Sequence, residues 1–489
     1  MKYKQKQTPL VDALKKYRKE RPTYFCIPGH RYENGVSDRW LKKDETGFLA
    51  YDLTEATGLD DLHEPEGAIR EAQELLADLY GAGKSYFLVN GSTCGNEAMI
   101  LASVGEGEKI LVPANAHKSV TMGLILSGAS PIYMNPVWFP KAGSFGGLNP
   151  EEIKRILDGD PAIKAVFLVS PDYYGKTLRL KEIAAICHER GVRVLVDEAH
   201  GGHCYFHSDL PMGALVAGAD MCVQSFHKVT GALTQSSVLH VAAGQDCSRL
   251  EAALKMVQST SPSYLFMASL DAARYEFAVH GEAALGEAID LAENFREKVN
   301  GLTKFHCLSR EEVKGENQIE DMDPLRLTIS MEGVSGFALQ KILRSRFHVE
   351  TELADFKNIL AIVTAANPKE DLDKFFWALF SMEQENEIAK EQFSMPDISA
   401  AFPQGEIKLP ELSPRQVWLS KVEQLPLDGA IGRIAGEMII PYPPGIPILR
   451  PGERISREVI ALFHEYKKRG CHFHGLGNSD DADIKVIME

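Results

Sequence analysis

The stretch that decides the fold is Val194-Leu-Val-Asp-Glu-Ala-His-Gly-Gly-His203, followed by Met221-Cys-Val-Gln-Ser-Phe-His-Lys228. Each piece is a short apolar run that breaks off in polar, reactive side chains. A buried parallel strand that delivers its last residues into a ligand crevice has this form. Asp197 and Lys228 therefore stand at the ends of neighbouring runs, as candidates for gripping the two ends of one ligand.

Working outward, the same alternation extends on both sides. Ser85–Asn90 is strand-like, and Gly91-Ser-Thr93 opens a helix running through Ile100. Further strand-like runs fall at 109–113, 131–134, 165–170, 193–197, 221–225 and 237–241, with helical patterns such as 180–190 between them. Alternating strands and helices imply a mainly parallel sheet covered on both faces, with right-handed crossovers placing the strand ends along one edge. Upstream, Thr8-Pro9 reads as an N-cap and first helical residue, with Leu10, Val11, Leu14 and Tyr17 on one face; packing against a partner subunit is the expected use of that arm. Past residue 276 a long helix is expected over 283–299. A smaller α+β unit follows, with strands at 325–330, 347–352 and 357–364 and helices at 336–346 and 371–381. Residues 382–412 read as a linker. The domains expected are an N-terminal arm with active-site and interface segments (1–65), a large α/β domain (66–280), a small α+β domain (281–390), and a linker with a C-terminal domain (391–489).

Composition bounds the function. The 489 residues are 44% hydrophobic and 25% charged, ordinary globular values. The formal charge of −15 argues against a nucleic-acid partner, which calls for a basic face, and suits a cationic substrate. Eight cysteines without a C-x-x-C pair, several inside apolar runs, suit a reducing cytoplasm. No apolar run reaches membrane-spanning length, and Met1-Lys-Tyr-Lys-Gln-Lys-Gln7 has no apolar signal core.

Two motif readings fail on inspection. Asp197-Glu-Ala-His200 matches a string of nucleic-acid-dependent ATPases, but these need a phosphate loop. The nearest string, Gly83-Lys84-Ser85, has Asp78 where glycine belongs, and its helix precedes its strand. His200, His203, Cys204 and His207 could suggest zinc, but strand-end geometry throws such side chains apart, so no metal is expected. Pyridoxal phosphate fits better. It needs a lysine for a Schiff base, a carboxylate against the pyridine nitrogen, and a phosphate cradle at a helix N-terminus. Lys228, Asp197 and Gly91-Ser-Thr93 meet those needs within one α/β block.

At these residues the chain resembles the Orn/Lys/Arg decarboxylases, pyridoxal-phosphate enzymes of fold type I with the aspartate-aminotransferase-like architecture. The strings that carry the resemblance are Phe25-Cys-Ile-Pro-Gly-His30, Gly58-Leu-Asp-Asp-Leu-His63, Asn90-Gly-Ser-Thr93, His117-Lys-Ser119, Asp197-Glu-Ala-His-Gly201, Ser225-Phe-His-Lys228, Thr234-Gln-Ser-Ser237, Ser259-Thr-Ser-Pro-Ser-Tyr264, Glu437-Met-Ile-Ile-Pro-Tyr-Pro-Pro-Gly-Ile-Pro447 and Pro451-Gly-Glu453. With no receiver-like wing before the catalytic part, the chain is similar to the short form typified by small bacterial arginine decarboxylases.

The resemblance implies a role for each matched residue. Lys228 would carry the cofactor as a Schiff base and Asp197 would face its ring nitrogen. His117 would stack on the ring, and His200 would lie near the ring hydroxyl. Ser92, Thr93, Ser225 and His227 would hold the phosphate, with Lys228 or His227 returning a proton to the substrate. Thr260 and Ser261 would reach the phosphate of a neighbouring subunit in a homodimer or higher homo-oligomer. Glu437, Asp60 and Glu352 are candidates for recognising the substrate's cationic end. The expected reaction is decarboxylation of a basic amino acid in the cytoplasm, first arginine to agmatine and carbon dioxide for polyamine biosynthesis, with lysine or ornithine as alternatives. A fold type I aminotransferase and a non-catalytic relative are the other readings; the intact Asp197 and Lys228 speak against the second.

Overall fold

The computed structural model describes residues 4–32, 34–385, 407–442, 447–468, 471–476 and 483–488. Most of the expected linker, and Pro443 to Ile446 of the proline-rich string, lie outside the described residues. The chain forms two compact units, 1–102 with 196–285 and 103–195 with 286–489. The boundary cuts strand Arg193–Asp197 just before its last two residues.

In the first unit, strands Lys84–Leu88, Ser237–Val241 and Met221–Gln224 lie side by side in that order, each pair antiparallel. The expectation of parallel strands fails at 237–241 for a physical reason. The connection from 224 to 237 holds only the four-residue helix Phe226–Val229, too little for the covering crossover that a parallel return requires. Helix Gly91–Ser103 lies close against this sheet because residue 95 is glycine. A Cβ there would stand 2.5 Å from Val223 Cγ2. The outer edge of strand 84–88 is closed by glutamine side chains. Gln73 accepts from the Phe87 amide and Gln258 from the Val89 amide, both at 2.9 Å. An exposed edge would otherwise invite pairing with another chain.

Helix Pro9–Glu20 forms as its sequence predicts, but Thr8 makes no capping bond. Asp271 caps the helix instead, accepting from the amides of Leu10 at 3.0 Å and Val11 at 3.3 Å. Arg274 holds Asp271 at 2.9 Å and donates to the Gln5 carbonyl. Leu10 and Leu14 enter a core with Leu76, Tyr80 and Tyr264. The apolar face assigned to a partner subunit is thus taken up within the same chain.

In the second unit, strands Ile163–Val169, Lys109–Pro113 and Ser130–Met134 are parallel neighbours, with Ile407–Lys408 antiparallel at the edge. The small α+β portion is an antiparallel sheet in the order Phe305–Cys307, Arg326–Met331, Asn358–Ile362, Leu353–Ala354. The strand expected over 347–352 is absent. Residues Leu343–Phe347 continue the preceding helix as a wider turn, closed by His348 at φ 54°. The long helix starts earlier than its pattern suggested, spanning Tyr264–Asn300. The C-terminal portion packs Phe463, Tyr466 and Val486 into one core with Phe145 and Phe356 of the same unit. Arg450, buried and paired with Glu453 at 2.5 Å, reaches the Ala114 carbonyl at 3.1 Å and covers the Tyr133 ring.

Candidate active site

The first unit holds ten of the residues singled out by sequence, and seven of them, Ser92, Thr93, Asp197, His200, Ser225, His227 and Lys228, stand on the strand ends, turn and helix starts described next. Asp197 ends its strand buried, and its two oxygens are both held. Oδ2 accepts from Asn96 Nδ2 at 2.8 Å, and Oδ1 from the Ala199 amide at 3.0 Å. Neither donor is a cation, so the carboxylate is oriented without being neutralised. Three residues on, buried His200 places Nε2 2.9 Å from Lys228 Nζ. Lys228 lies on the short helix Phe226–Val229 after strand Met221–Gln224. The strand-end placement inferred from the apolar runs therefore brings Asp197 and Lys228 onto adjoining segments of one unit, as the amide of Glu198 bonds the Val223 carbonyl at 2.9 Å.

Ser92 and Thr93 occupy the first turn of helix Gly91–Ser103, where backbone amides point outward and favour an anion. The Ser225 hydroxyl donates to Ser92 Oγ at 2.9 Å. Gly91, at φ +74°, lets the chain turn from strand to helix there. His227 has Nδ1 3.1 Å from the Ser236 carbonyl. A carbonyl only accepts, so Nδ1 carries the proton and Nε2 is the basic nitrogen. Burial, aided by neighbouring Lys228, holds this imidazole below its ordinary range.

The remaining candidates are placed as follows. His117 belongs to the second unit, exposed at the N-cap of helix Lys118–Ser127, with Nδ1 2.9 Å from Ser119 Oγ. Thr260 and Ser261 are exposed in the loop before the long helix. Asp60 is committed to backbone. Its oxygens accept from the amides of Asp61, Glu66, Gly67 and Ile69 at 2.9 Å each and from Arg70 at 3.3 Å. Burial raises its pKa, but these amides outweigh that and hold it below the usual range. Glu352 is exposed and accepts from the Tyr173 hydroxyl at 2.9 Å. Glu437 accepts from Lys485 through both oxygens. Among the described residues no group of three or more His, Cys, Asp or Glu is arranged to hold a metal ion.

Sequence reasoning missed Asn96. The available signal was an amide in the middle of a helix, where asparagine is disfavoured, amid Cys94, Gly95, Ala98 and Met99. It also missed Glu198 and Gln224, buried beside the two residues it chose.

The family described as "Orn/Lys/Arg decarboxylase, major domain" matches residues 8–371, and "Orn/Lys/Arg decarboxylase, C-terminal domain" matches 397–479. An arginine decarboxylase of Bacillus subtilis is 38% identical over 493 aligned positions, covering 99% of both chains. One of Halalkalibacterium halodurans is 37% identical, again over 99% of each. The crystal structure of the Francisella novicida lysine decarboxylase LdcF superimposes with a TM-score of 0.85 over 98% of this chain and 81% of that one. At 22% identity, that last likeness speaks for the fold alone.

Proposed function

From the premise that the chain belongs to the Orn/Lys/Arg decarboxylase family, we propose that it binds pyridoxal phosphate at Lys228 and decarboxylates arginine to agmatine. The observation that carries the reading is the pairing of a cation-free, doubly held Asp197 with Lys228 in one unit, beside hydroxyls at a helix N-terminus. The donor set fits the cofactor. Asp197 offers a carboxylate for a protonated ring nitrogen, Lys228 an amine, and Ser92, Thr93 and Ser225 hydroxyls for a phosphate. His200 would lie near the ring hydroxyl.

The cofactor, when bound, supplies a ring that accepts the electron pair left when carbon dioxide departs. The protein's own work is positional and protonic. Asn96 and the Ala199 amide keep Asp197 oriented as an acceptor. His200 accepts from Lys228 and so aims the amine. Proton return to the substrate carbon is assigned to Lys228 Nζ rather than His227, because His227 is neutral near pH 7 with its one proton committed to Ser236.

Arginine is preferred because the full-length relatives named above are arginine decarboxylases; lysine and ornithine are the alternatives. Of the three carboxylates considered for the cationic end, Glu352 takes one hydrogen bond, from the Tyr173 hydroxyl. Asp60 is spent on backbone amides, and Glu437 already faces a lysine. A second copy of the chain is the expected partner, since Phe25 (83%), Ile27 (60%) and Trp40 (69%) are exposed on the first unit, as are Thr260 and Ser261. All eight cysteines are unbridged, which suits the cytoplasm, and among the described residues no helix is long and apolar enough to cross a membrane.

The test is direct. Wild-type protein with pyridoxal phosphate should turn yellow and release carbon dioxide from arginine, with agmatine as product, while Lys228→Ala should do neither. Arginine, lysine and ornithine assayed in parallel identify the substrate. A wild type that stays colourless with added cofactor ends this reading.

A further inference from the structure

Glu198 follows Asp197 directly but takes a separate set of partners, and it is 1% exposed. Its Oε1 accepts from the Ala214 amide at 2.6 Å, and its Oε2 from Gln224 Nε2 at 2.7 Å and the Tyr205 hydroxyl at 2.9 Å. The Tyr205 hydroxyl itself accepts from the Leu215 amide at 3.1 Å, so its proton is directed at Glu198. With its amide nitrogen on Glu198, Gln224 turns Oε1 to His240 Nε2, at 3.1 Å. His240 must therefore carry its proton on Nε2, which leaves Nδ1 to accept from the Ser85 hydroxyl at 2.7 Å. The result is a one-way chain of buried donors, Ser85 to His240 to Gln224 to Glu198. Burial depresses His240 to about 3, so it stays neutral and the direction is fixed. Tyr80 stacks on His240 with centroids 4.5 Å apart, and its hydroxyl donates to the Gly202 carbonyl at 2.6 Å.

This network grips the chain on both sides of His200. Glu198 holds one end through its side chain, its amide to Val223 and its carbonyl to the Gly201 amide at 2.9 Å; Tyr80 holds Gly202. The turn between them contains the imidazole that touches Lys228 and begins at Asp197. Without this carboxylate the Ala214 amide, Gln224 and Tyr205 would each lose an acceptor in the interior, so Glu198 ties three separate segments to the turn. The titratable groups facing Glu198 are Tyr80, Tyr205 and Cys222, all acids that burial raises further; none neutralises it.

We infer that Glu198 is a positioning residue, which through the one-way chain from Ser85 fixes the 197–202 turn and so sets Asp197 and His200 for the cofactor. The inference rests on the reading of Lys228 as the pyridoxal phosphate lysine. It implies a directional requirement. Glutamine at 198 would present a donor to Gln224 and Tyr205, and Gln224 and His240 would both have to reverse. Exchanging the two residues, Glu198→Gln with Gln224→Glu, restores a carboxylate that accepts from both neighbours. Because burial pushes Glu198 up to about 7, an inflection in cofactor affinity near that pH should report its titration.

The test titrates full-length protein with pyridoxal phosphate, following the visible band across pH, beside the thermal midpoint of the cofactor-free protein. Glu198→Gln should bind the cofactor at least tenfold more weakly and lose the inflection near pH 7, without a lower thermal midpoint at pH 8. The exchanged double variant should recover most of the affinity, and Ser85→Ala should weaken it severalfold. The inference is overturned if Glu198→Gln and Ser85→Ala match wild type in affinity and pH profile, or if the folded double variant binds no better than Glu198→Gln. Should Glu198→Gln fail to fold, Ser85→Ala and the double variant decide by the same criteria. A wild type that does not bind the cofactor overturns the functional reading instead. Amide exchange at 199–202 then judges the network, with faster exchange in Ser85→Ala supporting it and unchanged exchange refuting it.

Discussion

Replacing Asn96 by leucine isolates the contribution of one hydrogen bond to the candidate site. Leucine matches asparagine in size, so the interior of helix Gly91–Ser103 should stay filled, while Asp197 Oδ2 loses its 2.8 Å donor. Asp197 is buried, so water cannot replace that donor cheaply. A hydrogen bond to a charged group contributes about 1.5–3 kcal/mol, roughly ten- to hundredfold in an equilibrium constant. Without it the carboxylate is less firmly oriented, and a misdirected Asp197 is a poorer partner for a cationic ring nitrogen. The expected result is a pyridoxal phosphate affinity lowered by about one to two orders of magnitude, with the decarboxylation rate reduced further at saturating cofactor. Titration of the visible band measures the first effect, and carbon dioxide release the second. A folded Asn96→Leu protein with wild-type affinity and turnover would refute the role given to Asn96 and weaken that given to Asp197.

Two further predictions concern stability. Asp60 gathers five backbone amides at the start of helix Ala68–Tyr80, so Asp60→Ala should cost about 2 kcal/mol or more, read as a lower thermal midpoint. Its folded pKa lies below its ordinary value, so this contribution is present above about pH 4 and fades as pH falls through the lowered value. Glu198 carries the opposite sign. Folded protein keeps its proton up to about 7 and the unfolded chain only to about 4.5, so between those values the folded state binds more protons and stability falls as pH rises. Fully buried, it should make wild type lose about 3 kcal/mol relative to Glu198→Gln between pH 5 and 8; parallel pH dependences of the two midpoints would contradict this.

The parts of the molecule legible in the sequence were those in which one physical signal dominates. Strands 109–113, 193–197 and 237–241 appear as read, because a buried strand between turn residues leaves an uninterrupted apolar run. What the run cannot show is direction. The antiparallel placing of 237–241 depends on the short helix after Ser225, whose four residues carry no periodicity. The expected strand at 347–352 failed because Phe347 and Val349 favour strands locally, while the preceding helix keeps its own hydrogen bonds as far as Phe347. Capping by Asp271 was invisible for a different reason: donor and acceptor are 261 residues apart. In the candidate site, Lys228 and Asp197 stand out in the sequence because each follows a buried apolar run with a charged side chain. Gln224 and His240 do not, because an uncharged amide or imidazole in an apolar strand has no meaning until its partner is located.

Those uncharged partners bear on how the site works. The two adjacent carboxylates are held in the same way, Asp197 by the Asn96 amide at 2.8 Å and Glu198 by the Gln224 amide at 2.7 Å. Elsewhere in the same unit a buried carboxylate, Asp271, is paired with Arg274, so a cationic solution was open to this fold. A guanidinium at position 96 would orient Asp197 equally well, but it would neutralise the carboxylate and repel a protonated ring nitrogen at close range, where the low local dielectric magnifies the repulsion. An amide fixes direction and leaves the charge available. The choice of asparagine over arginine beside Asp197 is therefore what a site must make when its ligand brings the positive charge.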